Sequence, residues 1–463
     1  MHRISFLLIA AAFTFIIDAD AQRRTTYENL LQRSDQPAAY IDHLFVPTSD
    51  STATFSVFFR LDYDFIPFLK KRANMEAPSD ESEFFAPVRM GLEIFEGTYR
   101  DTRRGRSDQV SIYRDSWQDT VWVSNFEKTK SRLDHAQGFL QTDLTNGDYN
   151  YELQLARGES VREQSSRRKN FTIPNYSEWN KAHFYFLSSL SNSDNQLSAS
   201  ILNYGDNVLY GQNYHLLILL PDSGEQNENE LTVSIHKLIA GSDKETEAEP
   251  VFEQSIHSDD TFTGSEVQFL KQDDQIRMNM DTGSGVAKFA SFMIPNQNFE
   301  NASYKLTLNS SGADEPLAEK IINSQWIDMP ISLYNLDVAI NMMKFIVDDS
   351  ELRRINSGST AEKEQKFREF WKERDPSPNT EFNELMTEYY KRIDYTYSNF
   401  SSLQIPGYET DQGRAYILYG PPNNVERRFP TNSPTREIWE YQGKTLIFEA
   451  TTGFGDFELI SES

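Results

Sequence analysis

The sequence predicts a mainly β protein with an α+β C-terminus: two tandem immunoglobulin-like β-sandwiches, then a domain of helices followed by an antiparallel sheet. Three observations predict it. Short segments up to about residue 330 alternate apolar and polar residues with a period of two, as half-buried strands do. Aromatic residues are abundant, at 13% with 32 Phe and 22 Tyr, and such side chains suit pleated surfaces. Beyond Tyr334 the apolar spacing lengthens to three and four, which marks helices, before strand patterns return near the end. A length of 463 residues fits about three domains at roughly 150 residues each, and cores of that size need no covalent staple.

Residues 1–21 are expected to be a signal peptide. Arg3 gives a basic start, and the apolar run from Ile4 to Ile17 is too short to span a bilayer. Ala19-Asp20-Ala21 then supplies a small-x-small cleavage site, placing the mature start after Ala21. The chain has no cysteine, which excludes a lipobox, a disulfide framework, thiolate catalysis and Cys-based zinc sites. Its net charge of −25 argues against nucleic-acid partners. No later segment has the apolar length of a membrane span. The expectation is a soluble exported protein, periplasmic or extracellular, with no membrane span after cleavage.

Residues 22–175 form the first expected sandwich. Its strands are TFSVFFRL at 54–61, VRMGLEIF at 88–95 with Val88, Met90, Leu92 and Ile94 on one face, TVWV at 120–123 and YNYELQL at 149–155. Turns such as Asn146-Gly147-Asp148 between short strands suit the immunoglobulin-like plan. Residues 176–330 repeat that plan with AHFYFL at 182–187, YHLLILL at 214–220 and LTVSIH at 231–236. The closing segment NGDYNYELQL of the first block is echoed by NASYKLTL in the second. The polar stretches PDSGEQNENE and GSDKETEAEP read as solvated loop tips.

Residues 331–463 form the third domain. Leu336, Ile340, Met343 and Val347 fall on one helical face. Ser359-Thr360-Ala361-Glu362 is a capping box opening a helix through Arg374, which Asp375-Pro376 ends. A further helix is expected over 380–400, with Phe382, Leu385, Met386, Tyr389, Ile393 and Tyr397 inward. Strands are expected at 415–419, 424–429, 437–441, 445–449 and 457–460, with a tight hairpin at Gln442-Gly443. Helices first and a small sheet second make an α+β domain.

The segments FWKERDPSPNTEFNELMTEYYKRIDY, GYETDQGRAYILYGPP, EIWEY and TGFGDFELI occur in an order that resembles the GWxTD-domain proteins of Bacteroidota and related bacteria. Tyr408 stands where that family has Trp, while Gly407, Thr410 and Asp411 match. The resemblance implies the identity of the last domain and export. It implies no reaction.

The chemistry is sparse. The histidines are His2, His43, His135, His183, His215, His236 and His257, with none in the last third and no HExxH pattern, so no metal site or Ser-His-Asp site is expected. Gly283-Ser284-Gly285 lies at the wrong spacing from Lys288 for a phosphate loop, and no cofactor is expected. What remains is Glu409 and Asp411 beside Arg414, with Tyr408, Tyr416 and Tyr419 nearby. Two carboxylates held about 5–9 Å apart in a cleft could hydrolyse a glycoside. The favoured reading is structural: Gly407 bends, Thr410 and Asp411 hold turn amides, Arg414 pairs with Asp411, and Gly420-Pro421-Pro422 stops a strand. The function expected is a non-enzymatic interaction or structural role with a protein partner in the cell envelope. The alternatives are a glycan- or peptide-directed hydrolase using the loop acids, and a carbohydrate-binding sandwich presenting Trp117 or Trp122.

Overall fold

The computed structural model describes residues 25–31, 38–100, 109–159, 162–193, 195–222, 230–238, 249–272, 274–402, 404–431, 433–451 and 457–463. The expected signal peptide, most of both acidic loops and residues 452–456 lie outside them. The described residues fall into two compact units. One holds 38–328 with 377–383; the other holds 25–31 with 329–376 and 384–463.

The protein is mainly β with an α+β C-terminus. In the β unit, Ala39–Pro47, Thr52–Asp62 and His135–Thr145 form an antiparallel sheet with Thr52–Asp62 in the middle. A second sheet is built on Phe84–Glu96, flanked by Ser111–Val123 and Gly147–Arg157. Thr52–Asp62 is buried on both faces. Phe55 stacks on Phe171 of its own block at 4.0 Å, while Phe58 meets Phe269 of the next block edge-on at 5.0 Å. Cover on both sides explains why FSVFF is almost continuously apolar, where a one-sided strand would alternate.

The next block repeats this logic. His183–Ser193, Gln196–Ile201, Gln275–Thr282, Thr261–Gln272, Ala287–Ile294 and Tyr214–Leu220 close into a barrel. Beside it lies a sheet of Asn207–Leu209, Ala318–Gln325, Ser303–Ser310, Leu231–Lys237 and Phe252–Ile256. Leu216 and Ile218 pack with Val233, Ile235 and Leu306 of that sheet. Leu217 and Leu219, on the opposite face, join the same core as Phe55, Phe58 and Leu92. The two β blocks therefore share one core. Buried polar contacts fix their register: Tyr185 Oη donates to the Phe45 carbonyl at 2.5 Å, and Asn203 Nδ2 donates to the Phe59 carbonyl at 3.0 Å.

The other unit begins with a short helix, α1 (Tyr27–Leu31), followed after the β unit by α2 (Leu336–Met342), α3 (Asp349–Ile355), α4 (Thr360–Lys372), α5 (Glu384–Phe400) and α6 (Asp411–Tyr419). Asn424–Arg428, Arg436–Tyr441, Lys444–Ala450 and Phe457–Glu462 then form a four-stranded antiparallel sheet in sequence order. The capping box at α4 is present: the Glu362 carboxylate accepts from Ser359 N at 2.7 Å, and Ser359 Oγ accepts from Glu362 N. Phe367, Phe370, Trp371, Tyr389 and Tyr390 form the helical core.

Two sequence expectations are corrected. The helix expected from residue 380 starts at Glu384, because 377–383 fold with the β unit. There Glu381 N donates to the Gln297 carbonyl at 3.0 Å, and Phe382 packs on Tyr210 and Trp326 rather than on a helix face. The strand expected at 415–419 is the helix α6. Apolar alternation at Ala415, Ile417 and Tyr419 resembled a strand, but Thr410 caps one end of the segment and Gly420, with φ +79°, closes the other.

Candidate functional site

The GYETD loop is a turn of 3-10 helix, Gly407–Glu409, between α5 and α6. Thr410 is the N-cap of α6: its Oγ1 accepts from Gly413 N at 3.0 Å and donates to the Gly407 carbonyl at 2.8 Å. Gly407 N donates to Ser401 Oγ at 2.7 Å. Both glycines serve close approach. A Cβ on Gly407 would lie 1.8 Å from the Thr396 carbonyl oxygen, and one on Gly413 would lie 1.8 Å from the Gly407 carbonyl oxygen. The need at Gly407 is therefore space rather than an unusual backbone angle.

The acids point apart in their bonding. Glu409 pairs with Lys344 and with Arg414 at 3.3 Å. Partial burial would raise its pKa, but the bonds and charges of Lys344 and Arg414 outweigh it and hold the carboxyl below its ordinary range. Asp411 Oδ2 instead accepts from the backbone amide of Leu459 at 2.9 Å. Arg414 thus braces Glu409, not Asp411 as the sequence suggested. Each carboxylate is engaged by its own neighbours.

Tyr408 is buried, with 6% of its surface exposed. Its ring lies against Tyr27 and Tyr397, and its hydroxyl donates to Glu28 at 2.8 Å. A side-chain donor is therefore present at the position where the family has an indole N–H. Gly420, Pro421 and Pro422 end α6 instead of a strand. The Gly420 carbonyl accepts from Tyr441 Oη at 3.1 Å, which ties that end to the sheet.

Three residues that the sequence did not single out complete the clasp. Buried Glu437 accepts from Gln412 Nε2 at 2.6 Å and Trp439 Nε1 at 3.2 Å, and it pairs with Arg427. Asp394 accepts from Tyr27 Oη at 2.8 Å and from Ile331 N at 2.9 Å; burial pushes its pKa up to about 6. Lys344 binds Glu409. These partners lie far apart along the chain, and no local spacing could have announced them.

Elsewhere, a pocket of about 320 Å³ opens beside Asp64, Phe65, Arg157 and Gln164. Its charges have internal partners: Asp64 pairs with Arg132 at 2.9 Å, and Arg157 donates to the Phe65 carbonyl at 2.5 Å. Trp117 packs edge-on against Phe59 at 4.9 Å, and Trp122 lies on Phe85 at 5.4 Å. Both are half-buried. Among the described residues, no cluster of His, Asp and Glu is arranged to hold a metal ion, and no helix is long and apolar enough to cross a membrane.

The fold and the clasp define a β-rich protein that ends in a compact helix-and-sheet domain organised around one loop. That domain is a GWxTD domain: residues 331–456 match the family model of that description. No curated protein matches the chain. Among solved structures it is similar to the C-terminal domain of the Streptococcus agalactiae AgI/II polypeptide BspA, at 9% identity and TM-score 0.15 over 61% of this chain and 99% of that one. It is also similar to the collagen binding domain of the Erysipelothrix rhusiopathiae surface protein RspB, at 10% identity and TM-score 0.18 over 62% and 94%. A third is the collagen adhesin of S. aureus, at 11% identity and TM-score 0.13 over 62% and 91%. Likenesses this slight have no bearing on function.

Proposed function

We propose that this chain is an exported, non-enzymatic protein of the cell envelope that works by binding another protein. The observation that carries the reading is a contrast within the GWxTD domain. The ionisable groups of its loop are bonded internally, while Val425, Phe429, Leu459 and Ile460 of its sheet region remain exposed, Phe429 by 74%. Each acid of the loop is engaged by its own neighbours, and the loop ties helices to the sheet. Val425 and Phe429, four residues apart at one edge of that sheet, offer an apolar contact to a macromolecular partner. Export rests on the sequence of residues 1–21.

The test has two arms. Cell fractionation with N-terminal sequencing should find the protein outside the cytoplasm, beginning at Gln22. A photo-crosslinker at position 425 should trap a discrete protein adduct in envelope fractions, while one at exposed Leu133 of the β unit should not. Cytoplasmic retention sinks the first half, and equal labelling from both positions sinks the second.

A further inference from the structure

Two sheet edges in this chain are closed by carboxylates. On Ser111–Val123, Asp115 Oδ1 accepts from Ser116 N at 2.7 Å and Asp119 Oδ1 accepts from Thr120 N at 2.8 Å. On Phe457–Glu462, the Leu459 amide donates to Asp411. Side chains that occupy edge amides prevent another strand from pairing there.

The edge strand Asn424–Arg428 differs. It pairs on one side with Arg436–Tyr441, and among the described residues no side chain accepts from its amides. All five of its residues are exposed. The adjacent Phe429 is the most exposed of the protein's large apolar side chains among the described residues.

We propose that this edge pairs with the same edge of a second copy, in an antiparallel dimer whose two-fold axis passes at Arg427. The proposal rests on the interaction reading above and names the partner. A two-fold perpendicular to a sheet keeps each face on its own side, so a residue meets only residues of its own parity. With the axis at Arg427, Val425 of each copy faces Phe429 of the other on one side of the sheet. Glu426 of each copy faces Arg428 of the other on the opposite side. The segment VERRF is thus self-complementary in both apolarity and charge. Axes one residue away fail: at Glu426 Val425 faces Arg427, and at Arg428 Phe429 faces Arg427, so the apolar pair is lost in both.

The central arginines are compatible with the axis. Each Arg427 Nε donates to Glu437 of its own chain at 2.6 Å, so each arrives as a neutral pair. The intrachain contact of Arg428 with Glu426 at 2.8 Å is exchanged for the same contact across the axis. A pair of short edges covers less than the roughly 1,200–2,000 Å² of a stable interface, so the dimer is concentration-dependent.

Sedimentation equilibrium of the full mature chain across the micromolar range should show a reversible monomer–dimer equilibrium. Glu426→Arg or Arg428→Glu, each placing like charges opposite one another twice, should weaken it at least about tenfold. The double variant Glu426→Arg/Arg428→Glu should restore it, and the two single variants mixed together should form a heterodimer. Both positions are exposed, so folding is not at issue, and circular dichroism checks it. A wild-type chain that stays monomeric throughout, or a Glu426→Arg variant that dimerises like wild type, overturns the proposal. Should the wild type stay monomeric while position 425 still crosslinks a different envelope protein, self-pairing fails and the interaction reading stands. If the wild type is monomeric and nothing is trapped, both fall.

Discussion

The Tyr408 hydroxyl donates to the Glu28 carboxylate at 2.8 Å, joining residues 380 apart in sequence. Together with the Tyr27–Asp394 bond at 2.8 Å, it fastens α1 to the GWxTD domain. A helix as short as α1 has little stability of its own, so its order depends on these contacts. Tyr408→Phe keeps the ring and removes the donor. Amides within 27–31 should then exchange with solvent about fivefold faster, reflecting ~1 kcal/mol of lost local stability. Unchanged protection would show that ring packing alone holds α1.

Crowding, not backbone angle, makes Gly407 necessary. A methyl group there meets the Thr396 carbonyl backbone at 1.8 Å, and backbone cannot swing aside as a flexible side chain can. Gly407→Ala should lower the stability of the GWxTD domain by about 2–3 kcal/mol, as overpacking does. Gly443 is the useful contrast. It has φ +79°, and a Cβ there would meet nothing within 4 Å, so alanine costs only conformational strain, about 1 kcal/mol. Denaturant midpoints that rank the two variants the other way would contradict this account.

The two loop acids have unequal structural weight. Asp411 satisfies the Leu459 amide and sits in the first turn of α6, where a negative charge is favourable. Asp411→Ala should cost ~1–2 kcal/mol and raise exchange at Leu459. Glu409→Gln weakens partly exposed ion pairs with Lys344 and Arg414 and should cost under about 1 kcal/mol. An enzyme using both acids would lose activity in each variant whatever the stability ranking, so assays on glycan and peptide substrates complete the comparison.

Much of this architecture was legible in the sequence because it is written locally. The capping box at Ser359, the hairpin at Gly443 and the alternating run at Val88–Ile94 each depend on neighbours a few residues away. The α6 segment was misread for an equally physical reason. Its buried Gly413, Ala415 and Ile417 fall at every second position, and only the caps at Thr410 and Gly420 distinguish it from a strand. The shared core of the two β blocks was hidden differently. YHLLILL and FSVFF are apolar on both faces, a pattern that announces burial on two sides but does not name what lies there. The partners of Tyr408, Gln412 and Tyr27 are set by tertiary folding alone. The open edge at Asn424–Arg428 needed the sheet order before its self-complementary sequence had meaning.

Acid sensitivity of the β unit should be traceable to His183. Its ring packs among Phe45 and Tyr185; burial, then the neighbouring His43 and Lys320, push its pKa down to about 3. The unfolded chain binds a proton near the ordinary histidine value of about 6.5, whereas the folded chain does not until about 3. Between those values the unfolded state holds more protons, so stability rises with pH across this window and is lost as pH falls through it. His43, pushed down to about 4 mainly by burial, acts in the same direction. Asp62 opposes them: burial raises it to about 6 despite Arg60, so its contribution declines as pH rises from about 4 to 6. His183→Phe removes one titrating group while keeping an aromatic ring. The difference in unfolding free energy between pH 7.5 and pH 5 should shrink by about 1–2 kcal/mol in that variant. An unchanged difference would mean that the ring is solvated enough to titrate normally in the folded chain.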